Sequence, residues 1–351
     1  MDGMSLTYGE IRNQPRSWAE TIAAMGGHWA SIKDAIPSGE EAQALFVGSG
    51  TSLYIAQAAA AVFQEATGHV SRATPASEVF LSPGTTVPRR APTVGFLISR
   101  SGATSEAVLA AEHLRRSCPN VATVAVTCNR DTALAAATDH AIELPFANDR
   151  SVVMTQSFTC MLLALQLVAA DVAGARALRA ELELLPGLLG HDLDRFEAFG
   201  KDLGERSSLR RFVFLGLGPN AGLAEEGTLK LKEMTQVPCE AYNPLEFRHG
   251  PISTVADDTA AIILEGDRDR SYLGDVERDL RRLGATVATI GPFPAAAADL
   301  ALLLPGGLSD LARGPLYIPA LQFLAYHRAL LLGLDPDRPR NLNPVVVLNG
   351  R

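Results

Sequence analysis

Two doubly wound, parallel α/β domains related by an internal repeat are the fold this chain predicts. Three observations predict it. An apolar run ending in G-x-G occurs twice, each copy opens a strand–helix–strand alternation, and the two copies stay in register over a long span. The first copy is Ala44-Leu45-Phe46-Val47-Gly48-Ser49-Gly50; the second, Val213-Phe214-Leu215-Gly216-Leu217-Gly218, follows at an offset of 168 residues. The offset holds without gaps from Gly48/Gly216 to Ser77-Glu78-Val79 and Leu245-Glu246-Phe247, too far for a chance pairing of glycines.

The elements follow in order. Residues 1–40 read as a helical arm, 41–195 as the first domain, 196–334 as the second and 335–351 as a Pro-rich tail. In the first domain the G-x-G run leads into a helix over Leu53–Ala66. Short apolar, β-branched runs at Thr93–Ile98, Val121–Thr127 and Ala141–Pro145 read as strands, with a helix over Ser105–Ser117. Ala170–Gly204 reads as a helical connector. The second domain repeats the plan: helix Ala221–Thr235, strands at Thr259–Leu264, Thr286–Ile290 and Ala301–Leu304, and helices over Val276–Leu283 and Leu321–Leu332.

Composition bounds the function. A length of 351 residues with 47% hydrophobic content suits two cores. No apolar run reaches the ~18 residues that suggest a spanning helix, and the N-terminus lacks a basic-then-apolar leader, so a cytoplasmic protein is expected. Cys118, Cys128, Cys160 and Cys239 form no C-x-x-C, which argues against zinc and a disulfide framework. A net charge of −8 disfavours nucleic acid, so an anionic ligand must be caught by a local device. No metal and no cofactor are expected.

Such a device follows the strand Thr93–Ile98. Ser99-Arg100-Ser101-Gly102-Ala103-Thr104-Ser105-Glu106 sets hydroxyls around a glycine at a helix N-terminus, where unpaired N–H groups and the helix dipole attract oxyanions. Gly50-Thr51-Ser52 can add donors from the neighbouring strand. The alternative is that Ser101 or Thr104 caps the helix. The second copy offers Glu265-Gly266-Asp267-Arg268-Asp269 at this point, whose carboxylates would repel phosphate.

The chain has twenty-seven arginines and four lysines, yet two of the four lie in Leu229-Lys230-Leu231-Lys232-Glu233. On helix Ala221–Thr235, Glu226, Lys230 and Glu233 fall at i, i+4 and i+7 and share one face. An exposed i,i+4 pair worth a few tenths of a kcal/mol is the plain alternative. A carboxylate on a rigid helix also suits proton transfer between adjacent carbons, with Lys230 as its orienting partner. His249, in Arg248-His249-Gly250-Pro251, has no histidine counterpart at Leu81. Gly216-Leu217-Gly218-Pro219-Asn220-Ala221 fits G-x-G-x-x-A, but Pro219 removes a donor that a dinucleotide would want.

Together these motifs resemble the sugar isomerase (SIS) domain family, in particular the tandem isomerase part of glucosamine-6-phosphate synthase and stand-alone amino-sugar-phosphate isomerases and deaminases. The resemblance runs from about Ala44 to Leu342 and includes Glu246-x-x-His249-Gly250-Pro251 and Arg338-Pro339-Arg340-Asn341-Leu342. It implies flavodoxin-like, three-layer α/β/α domains and a sugar-phosphate substrate. Gly50, Thr51, Ser52, Ser99, Arg100, Ser101, Thr104, Val152 and Asn343 would bind that substrate. Glu233 would move a proton between C1 and C2 with Lys230 beside it, and His249 would assist ring opening from the partner subunit of a homodimer.

Departures narrow the expectation. The synthase's glutaminase nucleophile is an N-terminal cysteine; here the first cysteine is Cys118, so glutamine is not the expected nitrogen source. Pro344 stands where the synthase has its Schiff-base lysine, Arg100 where it has an amide and Met154 where it has serine. The resulting expectation is a hexosamine-6-phosphate deaminase/isomerase whose substrate brings its own nitrogen. A ketose/aldose isomerase without deamination and a non-catalytic sugar-phosphate sensor are the alternatives.

Overall fold

The computed structural model describes residues 5–268, 270–294, 298–343, 345–346 and 348. Contacts divide the chain into two units. The first-sheet unit comprises Asn13–Arg150, Met154–Pro186 and Asn343–Arg351; the second-sheet unit comprises Met1–Arg12, Ser151–Val153 and Gly187–Leu342.

The helices in chain order are α1 (Leu6–Arg12), α2 (Gln14–Ile32), α3 (Thr51–Thr67), α4 (Ala76–Leu81), α5 (Pro83–Thr86), α6 (Ser105–Ser117), α7 (Ala133–Ala137), α8 (Gln156–Val172), α9 (Arg176–Gly204), α10 (Pro219–Thr235), α11 (Pro244–Phe247), α12 (Arg270–Arg282) and α13 (Asp310–Leu331). In the first-sheet unit β1 (Gln43–Gly48), β2 (Val70–Pro75), β3 (Thr93–Ile98), β4 (Val121–Thr127) and β5 (His140–Glu143) pair in the order β2-β1-β3-β4-β5. In the second-sheet unit β6 (Arg211–Gly216), β7 (Cys239–Tyr242), β8 (Thr259–Leu264), β9 (Thr286–Gly291) and β10 (Leu300–Leu303) pair as β10-β9-β8-β6-β7. Read from β7, the second order repeats the first, and every pairing is parallel. This is the flavodoxin-like order, whose switch point lies between the first and third strands of each sheet.

Sequence period explains the layers. β3 is buried at every position, as a strand covered by helices on both faces must be. On one face Leu45, Val47 and Leu97 meet Ala107, Ala110, Ala111 and Leu114 of α6, spaced for one helical stripe. Phe46 and Phe96 stack at 5.0 Å, and Phe63 of α3 joins them edge-on to Phe46. The Trp18 indole of α2 is fully buried, and its N–H is satisfied by Thr159 of α8 at 2.8 Å.

The 168-residue offset carries β1 onto β6 and α3 onto α10, end for end. The turns match too: Gly50 has φ +56 and Gly218 φ +57. A Cβ on Gly48 would lie 2.3 Å from the Ser52 backbone, and one on Gly216 2.2 Å from that of Asn220. Each strand therefore ends close against the first turn of its helix, which only glycine permits.

Several elements differ from the sequence reading. β2 and β7 are edge strands not legible in it: β2 alternates between exposed and partly buried residues and ends in proline, and β7 has four residues. α13 starts eleven residues before Leu321, running through Pro315 and Pro319, because the stretch from Ala312 to Ala329 is buried and packing outweighs the lost backbone bonds. Ala170–Gly204 is not one connector but the end of α8, a turn and α9. Contacts divide the chain within α9 rather than at residue 195, and Leu6–Arg12 groups with the second sheet. Arg12 anchors α1 there, to Glu197 at 2.6 Å and Asp194 at 2.8 Å.

Candidate functional site

The first-sheet unit builds its hydroxyl loop at the carboxyl ends of β1 and β3, on either side of the switch point. Thr51 and Ser52 open α3 and are 6% exposed. After β3, the Ser99 and Thr104 hydroxyls lie 3.1 Å apart, and Gly102 N–H donates to Ser99 Oγ at 3.2 Å. Ala103 N–H donates to Ser101 Oγ at 3.1 Å. Gly102 sits at φ +62, and a Cβ there would come within 2.4 Å of the Thr132 side chain, so the loop's bend is fixed from outside. The Arg100 carbonyl accepts from Cys128 N–H, Thr127 Oγ1 and Asn129 Nδ2, which ties the loop to the end of β4.

The capping alternative meets a clear answer. Thr104 occupies the N-cap position of α6 but makes no side-chain cap, its hydroxyl facing Ser99 instead. Ser101 closes a two-residue turn. Hydroxyls are thus gathered inward around the loop rather than spent on the helix end. The tail touches this end: Val346 C=O accepts from Ser105 N–H at 3.4 Å, and Leu348 N–H donates to Ser105 Oγ at 3.1 Å. Asn343 is exposed, and Pro344 lies outside the described residues.

The catalytic candidates lie on α10 and after α11, in the second-sheet unit. Lys230 and Glu226 are both 0% exposed, with Nζ 3.3 Å from Glu226 Oε1. Lys230 Nζ also donates to Glu233 Oε2 at 2.5 Å, and the Glu233 side chain keeps 18% exposure. The surface-pair alternative therefore fails for this row. Burial by itself would lower the Lys230 pKa, but the two carboxylates outweigh it and hold the ammonium above the ordinary lysine value. A lysine held charged is not a free nucleophile, and it leaves Glu233 as the partly accessible end of the row. His249 is exposed in the turn between α11 and Pro251–Thr254, with its N–H bonded to Glu246 C=O at 2.9 Å.

The repeat supplies a control for this row. At the offset of 168, Glu226 and Lys230 correspond to Ala58 and Val62 of α3, each 1% exposed. The same two buried helical positions are filled by hydrocarbon in one half and by an ion pair in the other. Burying two charges costs several kcal/mol per ion before pairing, and hydrophobic replacement of such pairs is often neutral or stabilising. Packing alone does not account for Glu226 and Lys230.

The second sheet's counterpart of the hydroxyl loop is closed by its own side chains. Asp267 N–H donates to both Asp310 carboxylate oxygens at 3.0 Å, and Arg313, 2% exposed, pairs with Asp310 at 2.5 Å and Asp267 at 3.2 Å. Tyr317 donates its hydroxyl to Glu265 C=O at 2.5 Å, and burial pushes the phenol's pKa upward. Asp310, Arg313 and Tyr317 all come from α13.

One residue that sequence reasoning missed is Asp149. Its buried carboxylate accepts from Thr155 N–H at 2.8 Å, Thr155 Oγ1 at 2.7 Å, Gln156 N–H at 3.2 Å, and both the N–H and hydroxyl of Ser157. It satisfies the N-terminus of α8. The Thr155-x-Ser157 spacing before a long apolar helix is the signal that could have found it. Val152, partly buried, follows this carboxylate by three residues and groups with the second-sheet unit.

Among the described residues no group of three or more His, Cys, Asp or Glu is placed to hold a metal ion, and no helix is long and apolar enough to cross a membrane.

The SIS domain model matches residues 40–170 and 207–297. The D-galactosamine-6-phosphate deaminase of Shewanella sp. (strain ANA-3) is 30% identical, over 96% of this chain and 88% of its own. The crystal structure of glucosamine-6-phosphate deaminase from Thermotoga maritima has a TM-score of 0.81 and 28% identity, covering 98% of this chain and 100% of that one. Tagatose-6-phosphate ketose/aldose isomerase from Escherichia coli has a TM-score of 0.83 and 26% identity, with 99% and 96% covered.

Proposed function

We propose that this chain, which belongs to the SIS domain family and within it to the phosphosugar isomerases, converts a hexosamine 6-phosphate into a ketohexose 6-phosphate with release of ammonia. The observation that carries the reading is the Glu226–Lys230–Glu233 row, an ion pair kept at positions that the other half fills with Ala58 and Val62. The deaminases from Shewanella and Thermotoga named above support the amine chemistry.

With the ring open, the substrate presents an aldehyde at C1 and an amine at C2. Glu233 takes the C2 proton, O1 is protonated, and an enolamine results. Return of the proton to C1 gives a ketimine at C2, and water adds to it and expels ammonia, leaving the ketose. The substrate's own nitrogen provides the imine, so the reaction needs no lysine at the position of Pro344 and no glutamine. Lys230 holds Glu233 by its hydrogen bond and offsets its charge. Gly50, Thr51, Ser52, Ser99, Arg100, Ser101 and Thr104 take the phosphate, with Val152 and Asn343 as backbone-level neighbours of the sugar. His249 assists ring opening in the partner subunit's site of a cytoplasmic homodimer.

A second reading, ketose/aldose isomerisation without deamination, is favoured by the likeness to the E. coli tagatose-6-phosphate isomerase. Incubating the purified chain with glucosamine 6-phosphate and with galactosamine 6-phosphate separates the two. Ammonia and ketose formed in equal amounts from either one supports the proposal. Neither ammonia nor ketose from either amino sugar, with turnover of a ketose 6-phosphate that carries no amine, supports the isomerase.

A further inference from the structure

We infer that the first-sheet unit carries a second anion site, apart from the hydroxyl loop, where Arg72, Arg89 and Arg90 frame a pocket for a diphosphate-bearing small molecule. The pocket, about 390 Å³, lies at the amino ends of the strands and is lined also by Gln43, Thr85 and Pro88. That volume falls in the range of ~300–1,000 Å³ usual for small-molecule sites. Gln43 begins β1 and Gly48 ends it, so roughly 16 Å of strand separates this pocket from the hydroxyl loop, at about 3.3 Å per residue.

No carboxylate lines the pocket. Among the described residues, none of the three arginines makes an ion pair, although the chain as a whole carries a net charge of −8. Elsewhere the arginines of this chain commonly find acids, as Arg12, Arg179 and Arg313 do. Three cations gathered without a counter-charge repel one another, and an anion relieves that repulsion.

The surroundings fix the Arg72 side chain and the backbone that carries Arg89 and Arg90. Arg72 Nη1 donates to Thr85 C=O at 3.1 Å and to Thr86 C=O at 3.4 Å, which fixes one guanidinium against the loop. Asn120 Nδ2 donates to Pro88 C=O at 3.0 Å and Ala91 C=O at 2.9 Å, pinning the backbone on both sides of Arg89-Arg90. Thr93 Oγ1 adds a bond to Ala91 C=O at 2.8 Å, and Gln43 N–H one to Pro92 C=O at 2.9 Å. Pro88 and Pro92 restrict the same stretch. A guanidinium fork matches phosphoryl oxygens two at a time, and a pinned loop loses little entropy when it binds. With Arg72 Nη1 spent on the loop carbonyls, Arg89 and Arg90 keep their whole forks, and two linked phosphoryl groups give each of these forks its own set of oxygens while Arg72 adds charge beside them.

The test is calorimetric titration of the full chain with inorganic pyrophosphate and, separately, with inorganic phosphate. The proteins compared are the unaltered chain, Arg89→Gln/Arg90→Gln, and Ser99→Ala/Thr104→Val, the last removing hydroxyls from the other anion loop. The expected result is a pyrophosphate site that survives Ser99→Ala/Thr104→Val and weakens at least about tenfold in Arg89→Gln/Arg90→Gln. Both arginine side chains are exposed, so that variant should keep the melting temperature and the basal turnover. An unchanged isotherm in Arg89→Gln/Arg90→Gln, or loss of all pyrophosphate binding in Ser99→Ala/Thr104→Val, overturns the site. Equal affinity for phosphate and pyrophosphate overturns the diphosphate assignment.

Discussion

The loop after β3 and the loop after β8 occupy the same place in two sheets of the same order, and they have opposite contents. The first gathers Ser99, Ser101 and Thr104 around Gly102 and leaves its helix without a side-chain cap. The second presents Glu265 and Asp267, and Asp310, Arg313 and Tyr317 close over it. One loop keeps its hydroxyls off the helix end, as the proposed anion site requires. The other is tied to side chains of α13. The helices after β1 and β6 differ in the reverse sense: α3 is plain hydrocarbon at Ala58 and Val62, and α10 carries Glu226 and Lys230. The two halves thus keep different chemistry at matching positions, hydroxyls in one and a buried ion pair in the other, which the proposed function reads as phosphate recognition and proton transfer.

The largest effect that sharpens this comparison is expected at Glu233. Glu233→Gln should lower turnover by about 10²–10⁴, the range for a general base, and leave sugar-phosphate binding measurable by calorimetry. Loss of binding with the turnover would mean that Glu233 holds substrate instead. Next comes Glu226→Ala, which leaves Lys230 buried without one of its two carboxylates. Removing one member of a buried pair costs about 3–5 kcal/mol, and urea unfolding should read a loss of that order. Ala58→Gly on the other helix serves as the control for a plain helical defect, at about 1 kcal/mol plus the lost methyl.

The loops can be broken separately. Ser99→Ala removes a hydroxyl from a proposed contact with a charged group, worth about 1.5–3 kcal/mol, so KM should rise roughly ten- to hundredfold with kcat little changed. Asp267→Asn, in the closed loop, should leave KM where it was and shift only the melting temperature. A change of KM in Asp267→Asn would erase the distinction between the two loops. The smallest effect is in pH dependence. Lys230 has a raised pKa in the fold, so its pairing contributes fully below the unfolded lysine value of about 10.4 and is lost as pH rises through the higher folded value. The stability difference between the unaltered chain and a chain without Lys230 should therefore be flat from about pH 6 to 9, as read by urea midpoints.

Much of this was legible in the sequence where local pattern and burial agree. Thr93–Ile98, Ser105–Ser117, Val121–Thr127 and Thr259–Leu264 are found with the bounds the pattern gives, because buried parallel strands and amphipathic helices write strong periods. The 168-residue repeat was legible for the same reason and is met end for end in β1/β6 and α3/α10. Edge strands β2 and β7 were not, since their residues, Val70-Ser71-Arg72-Ala73-Thr74-Pro75 and Cys239-Glu240-Ala241-Tyr242, form no continuous apolar run. The lock on the second loop was hidden by distance along the chain: Asp310 and Asp267 are separated by 43 residues and meet only in the fold. The hub at Asp149 stayed hidden because its partners are mostly backbone N–H groups, which every sequence has. At the Lys230 row the spacing showed a shared face, and only burial separated a surface pair from an enclosed one.

The ion pair in α10 is proposed to serve chemistry, at positions where the repeat shows that hydrocarbon also folds. Glu226→Ala/Lys230→Val gives α10 the residues of α3, and the measurement is its urea midpoint together with its rate of ammonia release from the hexosamine 6-phosphate that the unaltered chain turns over. The expected result is a midpoint equal to or above that of the unaltered chain and a rate lowered at least a hundredfold. An unaltered rate, or unfolding at a much lower urea concentration, would overturn the assignment of this pair to chemistry.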